Sequence, residues 1–115
     1  MKDITMAFAE NLAQLPSIDH IEALELRNAQ QQLVATIPNQ PGKAGSVRVY
    51  AALAAKYGAI TAQAAQEGLT LFAEHTTAAR EHPGSHPNID RLFEIEKSSA
   101  TLQVTLVLRP ANARG

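Results

Sequence analysis

Thr101-Leu102-Gln103-Val104-Thr105-Leu106-Val107-Leu108-Arg109 sets Leu102, Val104, Leu106 and Leu108 against Gln103, Thr105 and Val107. A period of two over that length predicts a β-strand with one apolar face. Such a strand needs partners, and the sequence offers two. From Ile18 to Arg27, Leu24 and Leu26 oppose Ala23, Glu25 and Arg27. From Gln32 to Ile37, Leu33, Ala35 and Ile37 oppose Val34 and Thr36. The polar stretch Asn28 to Gln31 between them reads as the turn of an antiparallel hairpin.

The remaining apolar residues fall at helical spacing. Ile4, Phe8, Leu12 and Leu15 predict a helix over Asp3–Leu15, with Asp3 as N-cap and Pro16 as its end. Ser46 is expected to cap a helix to Tyr57, with Val47, Tyr50, Leu53, Ala54 and Tyr57 on one stripe and Gly58 as the stop. Thr61 is expected to cap a long helix to about Glu81, its inward set Ala65, Leu69, Phe72, Ala73 and Thr76. Gly68 within it costs about 1 kcal/mol relative to alanine, which points to a bend or a close packing contact. After His82-Pro83-Gly84-Ser85-His86, Pro87 opens a short helix carrying Ile89, Leu92 and Phe93.

The order α-β-β-α-α-α-β predicts an α+β fold: a small three-stranded, mainly antiparallel sheet covered on one side by about four helices. The 115 residues have room for one core, expected to span 1–109, with 110–115 a frayed tail. So narrow a sheet leaves open edges, and an open edge is a route to a homodimer.

Composition removes several function classes. There is no cysteine, so thiol nucleophiles, thiolate metal sites and disulfides are excluded. A net charge of −1 argues against nucleic acid or an anionic membrane as a partner bound through bulk charge. The start, Met1 to Glu10, lacks a signal-peptide pattern, which makes the cytoplasm the expected compartment. Few aromatics and no tryptophan limit the deep apolar pocket that a cofactor enzyme has, and no cofactor is expected.

The charge is distributed in blocks. Residues 26–66 carry Arg27, Lys43, Arg48 and Lys56 and no Asp or Glu. The centre of that block, Pro41-Gly42-Lys43-Ala44-Gly45-Ser46-Val47-Arg48, is a glycine-rich loop running into a helix N-terminus. Free backbone N–H groups, the positive end of the helix dipole and two cations suit such a junction to an anion. Gly42, Lys43, Gly45, Ser46 and Arg48 are therefore the candidate anion-binding residues. The glycine and lysine order is not that of a Walker A loop. A tight strand-to-helix turn with solvated or internally paired cations accounts for the same letters.

Three of the four histidines lie close together: His75, His82 and His86, with Asp90 just beyond. A metal is not expected. His75 and His82 would lie about 10 Å apart along a continuous helix, too far to share one ion. His82, His86 and Asp90 converge more readily across the Pro83-Gly84 turn, as a candidate acid/base or ligand cluster, although capping and loop packing are the simpler explanation of these histidines. No serine stands in a nucleophile elbow.

Ile37 through Tyr50, Leu71-Phe72-Ala73-Glu74-His75 and His86-Pro87-Asn88-Ile89-Asp90-Arg91-Leu92 resemble a family of short bacterial proteins known as a conserved domain of unknown function. The likeness runs over most of the chain. It implies a bacterial protein and brings no catalytic residue to carry over. Two readings follow from the residues. The first is a non-enzymatic binding or protein-interaction module. The second is a small-anion (phosphate or carboxylate) binding protein or modest enzyme, in which the Gly42–Arg48 loop holds the charge and His82, His86 or Asp90 moves a proton. The first is the favoured reading, because the second requires loop and histidines to share a cleft.

Overall fold

The computed structural model describes residues 7–110. Its elements are α1 (Ala7–Ala13), β1 (Ile21–Arg27), β2 (Leu33–Pro38), α2 (Ala44–Tyr57), α3 (Ala62–Phe72), α4 (Glu74–Glu81), α5 (Pro87–Ser98) and β3 (Gln103–Leu108). The expected cap at Asp3 and most of the expected tail lie outside the described residues.

The sheet is antiparallel throughout, with β1 in the centre and order β2-β1-β3. Register follows from burial. Ile37 and Leu106 flank Leu24, and Ala35 and Val104 flank Leu26; Leu24, Leu26 and Ile37 are buried, whereas the β3 end of the expected apolar face, Leu106 and Leu108, stays exposed. On the opposite face Glu25 lies between Thr36 and Thr105. Leu24 and Leu26 are completely buried, each removing apolar area worth about 1.5–3 kcal/mol from water. The hairpin turn is stapled by Asn28, whose side-chain oxygen accepts from the N–H groups of Gln30 and Gln32. A second clamp joins the α2–α3 junction to β3, where Ile60 and Leu102 exchange backbone hydrogen bonds of 2.9 and 3.1 Å.

Expected helix ends are largely where the sequence puts them. Gly58 closes α2 in the left-handed conformation, φ 82°, its N–H donating to the Ala54 carbonyl. The Thr61 side chain accepts from Ala64 N–H and opens α3, and Pro87 occupies the first turn of α5. Ser46 is not the cap of α2. That helix starts earlier, at Ala44, with Lys43 in the capping position and no side-chain cap bond.

The long helix expected to run from Thr61 to about Glu81 is two helices. The break is not at Gly68, which is a packing contact: a Cβ there would lie 2.8 Å from Leu92 Cδ1 and 2.9 Å from Leu53 Cδ1. It falls at Ala73, with φ 52° and ψ −116°. Tertiary bonds hold the kink. Thr76, buried, donates its hydroxyl to the Leu69 carbonyl at 2.6 Å, satisfying a helix-end acceptor. Asn11 donates its side-chain amide to the Leu71 carbonyl, and Glu74 accepts from Phe8 N–H. An alanine at positive φ stores about 1–3 kcal/mol of strain. Ala73→Gly removes it and returns about 0.5–1 kcal/mol through the entropy of the unfolded chain. The expected result is a gain of about 1 kcal/mol in urea unfolding with an unchanged m-value; a loss of stability would contradict the strain.

α1 completes the body without burying a residue. It is fastened by the Asn11 and Glu74 bonds just named, by stacking of Phe8 on Phe72, and by Arg48. The Arg48 guanidinium donates to the carbonyls of Leu15 and Pro16 at 2.8 and 3.1 Å. Among the described residues no helix is long and apolar enough to cross a membrane.

Candidate functional site

The N-terminus of α2, the α3–α4 kink and the N-terminus of α5 meet around a cleft of about 610 Å³. β2 and α1 supply its other walls. Phe8, Leu12, Ile37, Phe72 and Ile89 give it apolar surface, while Lys43, Ser46, His75, His86, Asn88 and Arg91 give it polar groups. Among the described residues no Asp or Glu lines it. That is a local choice of sign, because acids slightly outnumber Lys and Arg in the chain as a whole.

Each polar group has a structural reason for its position. At the α2 start, the N–H groups of Lys43 and Ala44 donate to Gln40 O, and that of Val47 donates to Lys43 O. Gly45 and Ser46 N–H find no acceptor among the described residues, leaving two helix-end donors at the cleft wall. Gly45 also has a packing reason to lack a side chain, since a Cβ would sit 3.0 Å from the Phe8 ring. The Lys43 amine and the Arg91 guanidinium pair with no carboxylate among the described residues.

Arg91 is held by neutral oxygens. It donates to Asn88 Oδ1 at 2.8 Å and to the Tyr50 hydroxyl at 3.1 Å, while that hydroxyl donates to the Asn88 carbonyl at 2.6 Å. Tyr50 is fully buried. Burial pushes its phenol up to about 12, against the opposing charge of Arg91, so it stays a neutral strut in the ordinary pH range.

The two imidazoles come from different elements. His75 projects from α4 just past the kink, meeting the Phe8 ring edge-on with centroids 4.7 Å apart. His86 holds the backbone position before α5, where its carbonyl accepts from the N–H groups of Ile89 and Asp90. Its side chain makes no capping bond and lies 5.8 Å, centroid to centroid, from His75. Phe72, Phe8, His75 and His86 thus form a continuous row of rings along the cleft.

Of the sequence-predicted residues, Gly42, Lys43, Gly45, Ser46 and His86 line this cleft. Arg48, His82 and Asp90 do not. Arg48 points to the other side, to the end of α1. His82 closes α4, its N–H donating to Ala78 O and its carbonyl accepting from Ser85. Asp90 accepts from Gly84 N–H at 2.9 Å and shapes the turn before α5. Their roles in the fold are structural ones: helix-end capping and turn closure. Arg91, Asn88 and His75 were not among the expected site residues. Arg91 and Tyr50 are 41 positions apart, and no local pattern announces their contact.

Elsewhere, Lys56 and Tyr57 both donate to Glu67, and those hydrogen bonds, Lys56 first, hold its carboxyl below the usual carboxylate range. That group lies outside the cleft lining. Among the described residues, no three His, Cys, Asp or Glu side chains gather as a metal site.

A family model described as an uncharacterized protein conserved in bacteria (DUF2322) matches residues 8–106. The match agrees with the resemblance read from the loop, kink and Pro87 segments. No curated protein and no solved structure matches the chain.

Proposed function

We propose that the chain, which belongs to this family of uncharacterized bacterial proteins, binds a small molecule carrying a carboxylate or phosphate in the cleft between α2, α4 and α5. One observation carries the reading: two cationic side chains, Lys43 and Arg91, share the cleft with two imidazoles, and among the described residues no carboxylate lines it. Cations left without acidic partners favour a negative guest, and low-dielectric walls strengthen the attraction. The unsatisfied Gly45 and Ser46 N–H groups add donors that an anion's oxygens satisfy. The volume is in the range of small-molecule sites.

The reading is a binding one. His86 and His75 touch each other's rings, but no serine or carboxylate stands in a relay with them, so the arrangement supports recognition rather than proton transfer. The test is a titration of the ¹⁵N-labelled protein with phenyl phosphate, benzoate and inorganic phosphate, following the Gly45 and Ser46 amide resonances. At least one of these anions is expected to move both amides saturably. Lys43→Ala, at an exposed position, should weaken that binding about tenfold by removing one charge-assisted contact. If none of the three anions shifts either amide, the proposal fails.

A further inference from the structure

We infer that the guest is an aromatic acid: a flat ring carrying the carboxylate or phosphate, seated on the row of rings with its charge toward Lys43 and Arg91. The inference rests on the anion-binding reading and adds the other half of the ligand.

Its basis is where the chain places its rings. There are three phenylalanines, two tyrosines and no tryptophan. Two of the three phenylalanines and two of the four histidines line one cleft. Phe72 is buried and cannot itself be reached, but Phe8 lies nearly parallel to it, 15° between planes and 5.4 Å between centroids. Phe8 remains only half-buried, so the buried ring backs the accessible one and fixes its plane. His75 and His86 extend the ring surface, and neither imidazole is hydrogen-bonded to the described residues.

A helix as short as α1 needs an apolar anchor, and a leucine at position 8 would serve that purpose. An aromatic ring held flat by a second ring does something more, because π faces prefer other π faces in offset or edge-on geometry. Gly45 brings the start of α2 directly against Phe8, so the free N–H groups of α2 lie beside the accessible ring, on the turn that Gly42 makes possible at φ 88°. A ligand that carries an acid group directly on a ring satisfies both the ring row and these donors. An aliphatic acid of equal charge leaves the ring row without a matching face, and inorganic phosphate leaves it uncovered.

The test compares ligands of equal charge. Phenyl phosphate is expected to bind about tenfold more tightly than ethyl phosphate, and 1-naphthoate about tenfold more tightly than cyclohexanecarboxylate, by calorimetric titration. Phe8→Leu keeps an apolar anchor for α1, and its amide spectrum reports whether the fold is intact. In that variant the two phosphate esters should bind within about twofold of each other. If ethyl and phenyl phosphate bind equally to the unaltered chain, the aromatic class is wrong while the anion site stands. If Phe8→Leu folds and keeps the full preference, the ring row is not the platform. If no ester or carboxylate binds at all, the anion reading falls and this inference with it.

Discussion

Gly68→Val is expected to lower the free energy of unfolding by about 3 kcal/mol, at the upper end of overpacking costs, and the melting temperature by roughly 10–15 °C. The reason is the meeting of three helices at one point. The bare Cα of Gly68 in α3 lets Leu92 of α5 and Leu53 of α2 close over it, and even a Cβ would lie under 3.0 Å from a methyl of each. Both leucines are fully enclosed, 0 % and 1 % exposed, so neither methyl has free space to move into. Alanine is the milder change. Its added methyl is opposed by the same contacts, but about 1 kcal/mol of helix propensity returns. Combining Gly68→Ala with Leu92→Val withdraws the nearer methyl, so the double variant should be more stable than the two single losses predict, by about 0.5–3 kcal/mol of coupling. Thermal melts of the four chains check this. A Gly68→Val protein melting with the parent would mean that the three helices do not approach so closely.

Tyr50→Phe is expected to cost about 2 kcal/mol at neutral pH, because it removes the buried hydrogen bond to the Asn88 carbonyl and withdraws a partner from Arg91. The same variant has a second signature at high pH. In the folded chain the Tyr50 phenol is raised from 10.0 to about 12, mainly by burial. A group whose folded pKa lies above its unfolded value gives stability that is complete below the unfolded pKa. That stability is then lost as pH rises through the folded one. Between pH 10 and 12 the parent should therefore lose up to about 2–3 kcal/mol at this site, and Tyr50→Phe should not. Absorbance at 295 nm checks the assignment, since two tyrosines are present and Tyr50 should ionise last or only with unfolding. A Tyr50 that titrates freely near 10 would contradict its burial.

The strands were legible because the alternation of Leu102, Val104, Leu106 and Leu108, and of Leu33, Ala35 and Ile37, is written locally, although burial covers only Leu102 and Ile37 fully and leaves Leu33, Leu106 and Leu108 exposed. Gly58 and Pro87 were equally readable, since each marks a backbone geometry that few other residues favour. Ala73 was not. Alanine is the strongest helix former, and nothing within a turn of it signals a break. The kink is imposed from a distance, by Thr76 on Leu69 and by Asn11 and Glu74 across α1. The site divided in the same way. Glycines and a lysine in an acid-free stretch drew attention to the α2 start. The equally prominent Arg48, His82 and Asp90 are instead engaged in holding helix ends and a turn. Arg91 reaches the cleft through Tyr50, a long-range contact that no spacing rule anticipates.

The shallow seating of α1 bears on how a guest would come and go. α1 buries no residue completely; Phe8 and Leu12 pack half-buried against the core, and side-chain tethers with ring contacts to Phe72 and His75 complete its hold, so its detachment is expected to lie below global unfolding in free energy. Amides of α1 should exchange with deuterium long before those of α2 and β1. An occupant resting on Phe8 and Leu12, which line the cleft, then loses part of its wall whenever α1 detaches, and its release becomes a local event that leaves the sheet undisturbed.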